Sequence, residues 1–165
     1  MKTLILMRHG KASKDEAVRS DFERSLTEKG LHEARDTARK LKKSAYQVNQ
    51  IVSSPARRTT QTARAAADEL GISETEIIFE NGLYEAGFDE LLKIIRRLDD
   101  QFETVMLVGH NPVFTSIIGM ISDKFVENLP TAGIAVMRFN TETWKMINNQ
   151  SGTFLLQISP KEETD

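Results

Sequence analysis

Six short apolar runs punctuate the chain, and stretches with helical spacing separate the first five. The runs fall over residues 3–7, 48–53, 76–80, 104–108, 134–139 and 153–159, and each predicts a β-strand. Leu4-Ile5-Leu6-Met7 and Val105-Met106-Leu107-Val108 show no polar alternation, the pattern of strands buried on both faces of a parallel sheet. Leu31, Ala34, Ala38 and Leu41 recur at helical spacing behind Thr27, a good N-cap, and predict a helix ending near Ser44. Ser54-Pro55 is expected to open a second helix, with Ala63, Ala66, Ala67 and Leu70 facing inward and Gly71 as its stop. Leu91, Leu92, Ile94, Ile95 and Leu98 give the inner face of a helix over 89–98. Asn111-Pro112 opens a fourth, mostly apolar helix to Ile121. Residues 11–24 are polar without steady period and read as a loop, as do 124–133; residues 141–152, with Trp144, connect the last two strands. Strands alternating with helices predict a three-layer α/β/α sandwich around a mostly parallel sheet.

Composition narrows the class. The chain has 165 residues, 39% hydrophobic and 28% charged, which fits one soluble domain over 1–160 with a frayed tail at 161–165. A net charge of −2 argues against nucleic acid or an anionic membrane as partner, so any phosphate binding needs a local cluster of cations. The absence of cysteine excludes disulfides, a thiol nucleophile and zinc–thiolate sites, and fits a cytoplasmic setting. The segment before Arg8 is too short for a signal-peptide core, and no apolar run approaches the length of a membrane span. Nothing in the composition demands an oligomer, and a monomer is expected.

The chemistry sits where the strands end. The first strand runs into Arg8-His9-Gly10 and the fourth into Gly109-His110-Asn111. In open α/β sheets the carboxyl edge of the strands is where ligands bind. Arginine offers a fork of donors to phosphate oxygens, and a neutral imidazole is a nucleophile near neutral pH. Arg57 and Arg58 fall in the first turn of the second helix, where free amides and the helix dipole favour an anion. Neighbours on a helix point about 100° apart, so one of the two should reach a pocket, and composition does not choose between them. Glu85 lies in a loop at the same edge. If the first and fourth strands are neighbours, His9 and His110 face each other, with His9 in line for a phosphorus held by fixed cations rather than a metal. No Walker loop, Gly-x-Gly-x-x-Gly or dense acidic metal site occurs.

The order and spacing of these motifs resemble the histidine phosphatase superfamily, and within it the small SixA-type phosphohistidine phosphatases. The matching segments are Arg8-His9-Gly10-Lys11-Ala12, Asp21-x-x-Arg24-x-Leu26-Thr27-x-x-Gly30, Ser54-Pro55-x-x-Arg58-x-x-Gln61-Thr62-Ala63, Val108-Gly109-His110-Asn111-Pro112 and Leu129-Pro130-Thr131. They span nearly the whole chain. The resemblance implies a phosphoglycerate mutase-like fold with a mixed six-stranded sheet. It implies His9 as a nucleophile that becomes a transient phosphohistidine, and Arg8, Arg58 and His110 as the phosphate pocket, with no metal and no cofactor. Its spacing from Ser54 and Thr62 selects Arg58 over Arg57, which then reads as a solvated neighbour.

Other residues keep two readings. Glu85 reads equally as the general acid and base or as a solvated loop glutamate, and some SixA-type proteins lack an obvious acid here. Asp21 is a second carboxylate, expected to pair with Arg24. Thr131 and Ala132 are expected to place backbone donors near the pocket. Lys11 reads as a phosphate-attracting or a solvated lysine, and His32 as exposed. The 19 residues between Glu85 and Val105 leave room for one helix and no large cap. The pocket should therefore be open, which suits a phosphohistidine on a protein domain. The alternatives are a phosphatase or mutase acting on small phosphate esters, and a non-catalytic module that binds phosphate or a phosphoprotein.

Overall fold

A computed structural model describes residues 1–14 and 20–160. The expected tail at 161–165 and the middle of the expected 11–24 loop lie outside the described residues. Within the described residues six strands form one sheet: β1 (Lys2–Arg8), β2 (Gln50–Ser53), β3 (Ile78–Phe79), β4 (Thr104–Gly109), β5 (Ile134–Phe139) and β6 (Gly152–Ile158). Their order is β3-β2-β4-β1-β5-β6. The first four in that order are parallel; β5 and β6 are antiparallel to their neighbours. Among the described residues four α-helices flank the sheet: α1 (Glu28–Lys42), α2 (Arg57–Leu70), α3 (Phe88–Arg96) and α4 (Val113–Ile121). This is an α/β sandwich around a mixed, mostly parallel six-stranded sheet, as the sequence led us to expect.

The apolar runs explain the layering. Leu4, Ile5, Leu6 and Met7 are fully buried because both faces of β1 are covered. Leu4 and Leu6 join a cluster with Leu91, Ile95, Phe114 and Ile118 from α3 and α4. Ile5 and Met7 join Ala34, Ala38, Ala63 and Ala66 from α1 and α2. Each fully buried side chain of this size contributes roughly 1.5–3 kcal/mol. Small alanines on α1 and α2 let those helices lie against each other and the sheet. Trp144, in a 3₁₀ turn between β5 and β6, is fully buried and donates its indole N–H to Phe102 O at 3.2 Å.

Three local expectations need correction. Leu31 is 39% exposed, and Gly30 takes the buried place beside the loop after β1. Ser54 and Pro55 do not open α2: the helix starts at Arg57, its N-cap is Ala56, and the Ser54 hydroxyl is turned to the site below. The third strand is two residues long, because a 3₁₀ turn (Glu74–Glu76) takes up the start of the expected run. Gly10 has no positive φ, so its lack of a side chain serves packing rather than backbone conformation. A Cβ there would sit 2.6 Å from Gly30 O, so the pair of glycines permits a close approach of two backbones. Thr27 does cap α1, accepting from Gly30 N at 2.9 Å, and Gly71 does end α2 in the left-handed conformation at φ 74°.

Candidate active site

Three adjacent strands deliver the centre of the site. In the order β2-β4-β1, the residues following their carboxyl ends are Ser54, His110 and His9. Parallel pairing sets them side by side: Arg8 pairs with Gly109, His9 N donates to Gly109 O at 3.1 Å, and Ser54 N donates to Val108 O at 3.0 Å. The two imidazole centroids lie 5.4 Å apart. The loop after β1 is pinned from α2, where Thr62 Oγ1 accepts from Gly10 N at 3.1 Å and Gln61 Oε1 accepts from Leu26 N at 2.7 Å. The cleft at this edge has a volume of about 440 Å³.

His9 has a defined tautomer. Its Nδ1 lies 2.7 Å from Gly10 O, and a carbonyl only accepts, so Nδ1 carries the proton. Nε2 is left with the lone pair. Burial, followed by the charges of Arg58, Arg8 and Arg24, pulls the pKa of His9 down to about 4 against the opposing hydrogen bond to Gly10. The ring is therefore neutral at physiological pH and keeps its nucleophilic nitrogen unprotonated. Burial, then Arg58 and His9, lowers His110 further, to about 3, against the pull of Asp21.

Arg58 joins the two halves of the site. It is 7% exposed, whereas Arg57 is exposed and lines a neighbouring cleft with Phe22 and Arg64. Arg58 Nη2 lies 3.4 Å from His110 Nδ1 and 3.0 Å from Asp21 Oδ2, and its Nη1 donates to Asp21 O at 2.8 Å. Asp21 also accepts from Arg24 Nη1 at 2.9 Å, as expected, and from the Tyr84 hydroxyl at 2.8 Å. Partial burial pushes the Asp21 carboxyl up, but these three donors hold it well below the usual carboxylate range. Asp21 is thus ionised throughout the physiological range and has no proton to give. Tyr84 packs edge-on against both His110, at 5.6 Å, and Phe22, at 5.1 Å.

Arg8 anchors the other wall. Its Nη1 donates to Leu129 O at 2.9 Å, and Asn111 Nδ2 donates to the same carbonyl at 3.1 Å. Thr131 lines the cleft. Ala132 does not offer the expected free donor: its N–H is taken by His9 O at 3.0 Å, and its backbone sits at φ 60°. Glu85 lines the cleft, is exposed, and sits at φ 62°, an unfavourable conformation for a residue with a Cβ. Lys11, Lys14 and Arg24 complete the rim, while His32 is exposed on α1.

Two buried side-chain nitrogens among the described residues lack a partner, Arg8 Nε and Arg58 Nε. Unsatisfied buried donors are costly, and both here belong to guanidinium groups of one cleft. The cleft thus combines unmet cationic donor capacity with a neutral nucleophilic nitrogen, which is the chemistry for holding and attacking an oxyanion such as a phosphoryl group. Among the described residues, no three His, Asp or Glu side chains are arranged to hold a metal ion, and no helix is long and apolar enough to cross a membrane.

The structure brings His9, Arg8, Arg58, His110, Glu85 and Thr131 to one cleft. Sequence reasoning gave no role to Tyr84, and it read Ser54 and Asn111 as helix openers. Ser54 carried a usable signal, because it directly follows a strand that ends at the same edge. Tyr84 carried none, since its reach to Asp21 spans a separation in sequence of 63 residues.

Comparison with known proteins fits this geometry. The family model for the histidine phosphatase superfamily (branch 1) matches residues 4–104, and the chain belongs to that superfamily. An uncharacterized protein of Mycobacterium tuberculosis is 30% identical over 142 residues, which cover 80% of this chain and 86% of that one. Among solved structures, a candidate SixA phosphohistidine phosphatase from Nakamurella multipartitia is 25% identical with a TM-score of 0.84, covering 96% of both chains. Another from Agrobacterium tumefaciens is 28% identical with a TM-score of 0.78, covering 96% of this chain and 98% of that one.

Proposed function

We propose that the protein is a phosphohistidine phosphatase that removes phosphate from a phosphoprotein through a covalent intermediate on His9. The observation that carries this reading is the fixed tautomer of His9, with Nδ1–H on Gly10 O and the Nε2 lone pair available in a cleft lined by Arg8, Arg58 and His110. Nε2 attacks the phosphorus in line, the bond to the leaving group breaks, and Arg8, Arg58 and His110 meet the equatorial oxygens. Fixed donors of this kind contribute roughly 2.7–4 kcal/mol each to a transition state. Glu85 gives the leaving group its proton. Water then attacks the phosphohistidine, Glu85 takes the water proton, the P–Nε2 bond breaks, and phosphate leaves. Arginines supply the charge stabilisation in this scheme, so neither a metal ion nor a cofactor is needed.

A phosphoprotein substrate is supported by the rim. Among the described residues no helix covers the cleft; α3 is nine residues long and packs on the sheet, not over the site. Exposed Lys11, Lys14 and Glu85 surround the opening. Similarity to SixA-type structures points the same way. The protein acts as a single domain over 1–160, as a monomer in the cytoplasm.

The test is phosphate release from a phosphohistidine-bearing protein domain, run beside a small aryl phosphate and with His9→Ala as control. Release from the protein substrate that vanishes in the variant is the expected result. Turnover of the small ester alone would replace the substrate class, and binding of phosphoprotein without release would replace catalysis by a docking role.

A further inference from the structure

Ser54 is fully buried at the end of β2, and its Oγ lies 2.8 Å from His110 Nε2. The other ring nitrogen, Nδ1, faces Arg58 Nη2 at 3.4 Å. A guanidinium only donates, so Nδ1 must present its lone pair in this state, and a neutral ring then carries its proton on Nε2. Nε2–H donates to Ser54 Oγ, which also accepts from Ala56 N at 3.3 Å. The described state of His110 is therefore the wrong one for holding an anion. Nε2 is committed to a buried hydroxyl, so Nδ1 is the nitrogen that can reach a phosphoryl oxygen, and it has no proton to offer.

We infer that the Ser54 hydroxyl is a reversible hydrogen-bond partner that sets the tautomer of His110 and lets it switch when an oxyanion enters the cleft. This rests on the phosphatase reading above and adds a positioning residue to it. On binding, the anion takes over Arg58 and demands a donor from Nδ1. The Ser54 hydroxyl rotates from acceptor to donor toward Nε2. One proton leaves Nε2 for solvent and one arrives at Nδ1 from solvent, so the ring stays neutral with no net uptake. A hydroxyl can take either sense, whereas a carboxylate would lock Nε2–H and a main-chain amide would forbid it. Among the described side chains bonded to His110, only Ser54 has that freedom, because Arg58 always donates.

The test is nitrogen NMR on protein with isotope-labelled histidine, without and with saturating inorganic phosphate, for the wild type and Ser54→Ala. The wild type is expected to show the His110 proton on Nε2 when free and on Nδ1 when phosphate is bound. In Ser54→Ala the bound form should lose that clean shift, and kcat/KM should fall by roughly a hundredfold, the lower end for losing one oxyanion donor. The far-UV circular dichroism should be unchanged. A bound His110 that keeps its proton on Nε2, or that carries protons on both nitrogens, would overturn the inference while leaving the phosphatase reading intact. An identical shift in Ser54→Ala would also overturn it. No response of either His9 or His110 to phosphate would overturn both.

Discussion

Acidification should destabilise this protein through its two active-site histidines, and the size of the effect follows from their burial. An ordinary histidine titrates near 6.5, whereas folded His9 titrates at about 4 and folded His110 at about 3. Burial comes first among the causes for both rings, with Arg58 adding to it. Both shifts are downward, so between the folded and unfolded values the unfolded chain binds protons that the folded chain refuses. Their contribution is fully present above about pH 6.5 and is lost as the pH falls toward the folded values. At about pH 4.5, two units below the unfolded value, each ring costs about 2.5 kcal/mol. Together that is a large share of the ~5–15 kcal/mol that holds a domain of this size. Urea unfolding at about pH 7.5 and about pH 4.5 measures the loss, and His9→Gln and His110→Gln isolate each ring from the carboxylates that also titrate. Each variant should lose about 2.5 kcal/mol less than the wild type across that interval. Equal losses in all three proteins would refute the claim that these rings are held neutral by their surroundings.

Three further outcomes separate neighbouring readings. Arg58→Ala should lower kcat/KM by roughly a hundredfold or more, as for one oxyanion donor, whereas Arg57→Ala, at an exposed position, should change it little; steady-state kinetics on one substrate compares them. Gly30→Ala would drive a Cβ into the Lys11 backbone carbonyl and displace the loop that follows His9, so thermal unfolding should show a loss of about 1–3 kcal/mol, the range for overpacking. Glu85→Gln should slow an alkyl phosphate, whose leaving group needs a proton, by roughly a hundredfold while slowing a nitrophenyl phosphate far less; equal effects on both would remove Glu85 from proton transfer.

The sheet and the site were legible to different depths for physical reasons. Strands buried on both faces, such as β1 and β4, leave continuous apolar runs that a sequence displays directly. The carboxyl-edge placement of His9 and His110 followed from where those runs stop. Helix starts were less legible: Ser54-Pro55 has the composition of a cap, but the Ser54 hydroxyl is drawn to His110 and the helix begins beyond it. Leu31 falls on the inner face by spacing, yet Gly30 occupies the contact because two backbones meet there. The network of Asp21 with Arg58 and Tyr84 is tertiary throughout, so only its local pair with Arg24 could be foreseen.

The claim that matters most is covalent: the phosphoryl group passes through Nε2 of His9. Rapid quenching with a radiolabelled phosphohistidine protein, followed by peptide mapping under alkaline conditions that preserve phosphohistidine, tests it directly. The account predicts a label that appears and decays on the peptide containing His9 and is absent from His9→Ala, together with loss of turnover in that variant. Turnover at the wild-type rate by His9→Ala, or label residing on His110 instead, would contradict it.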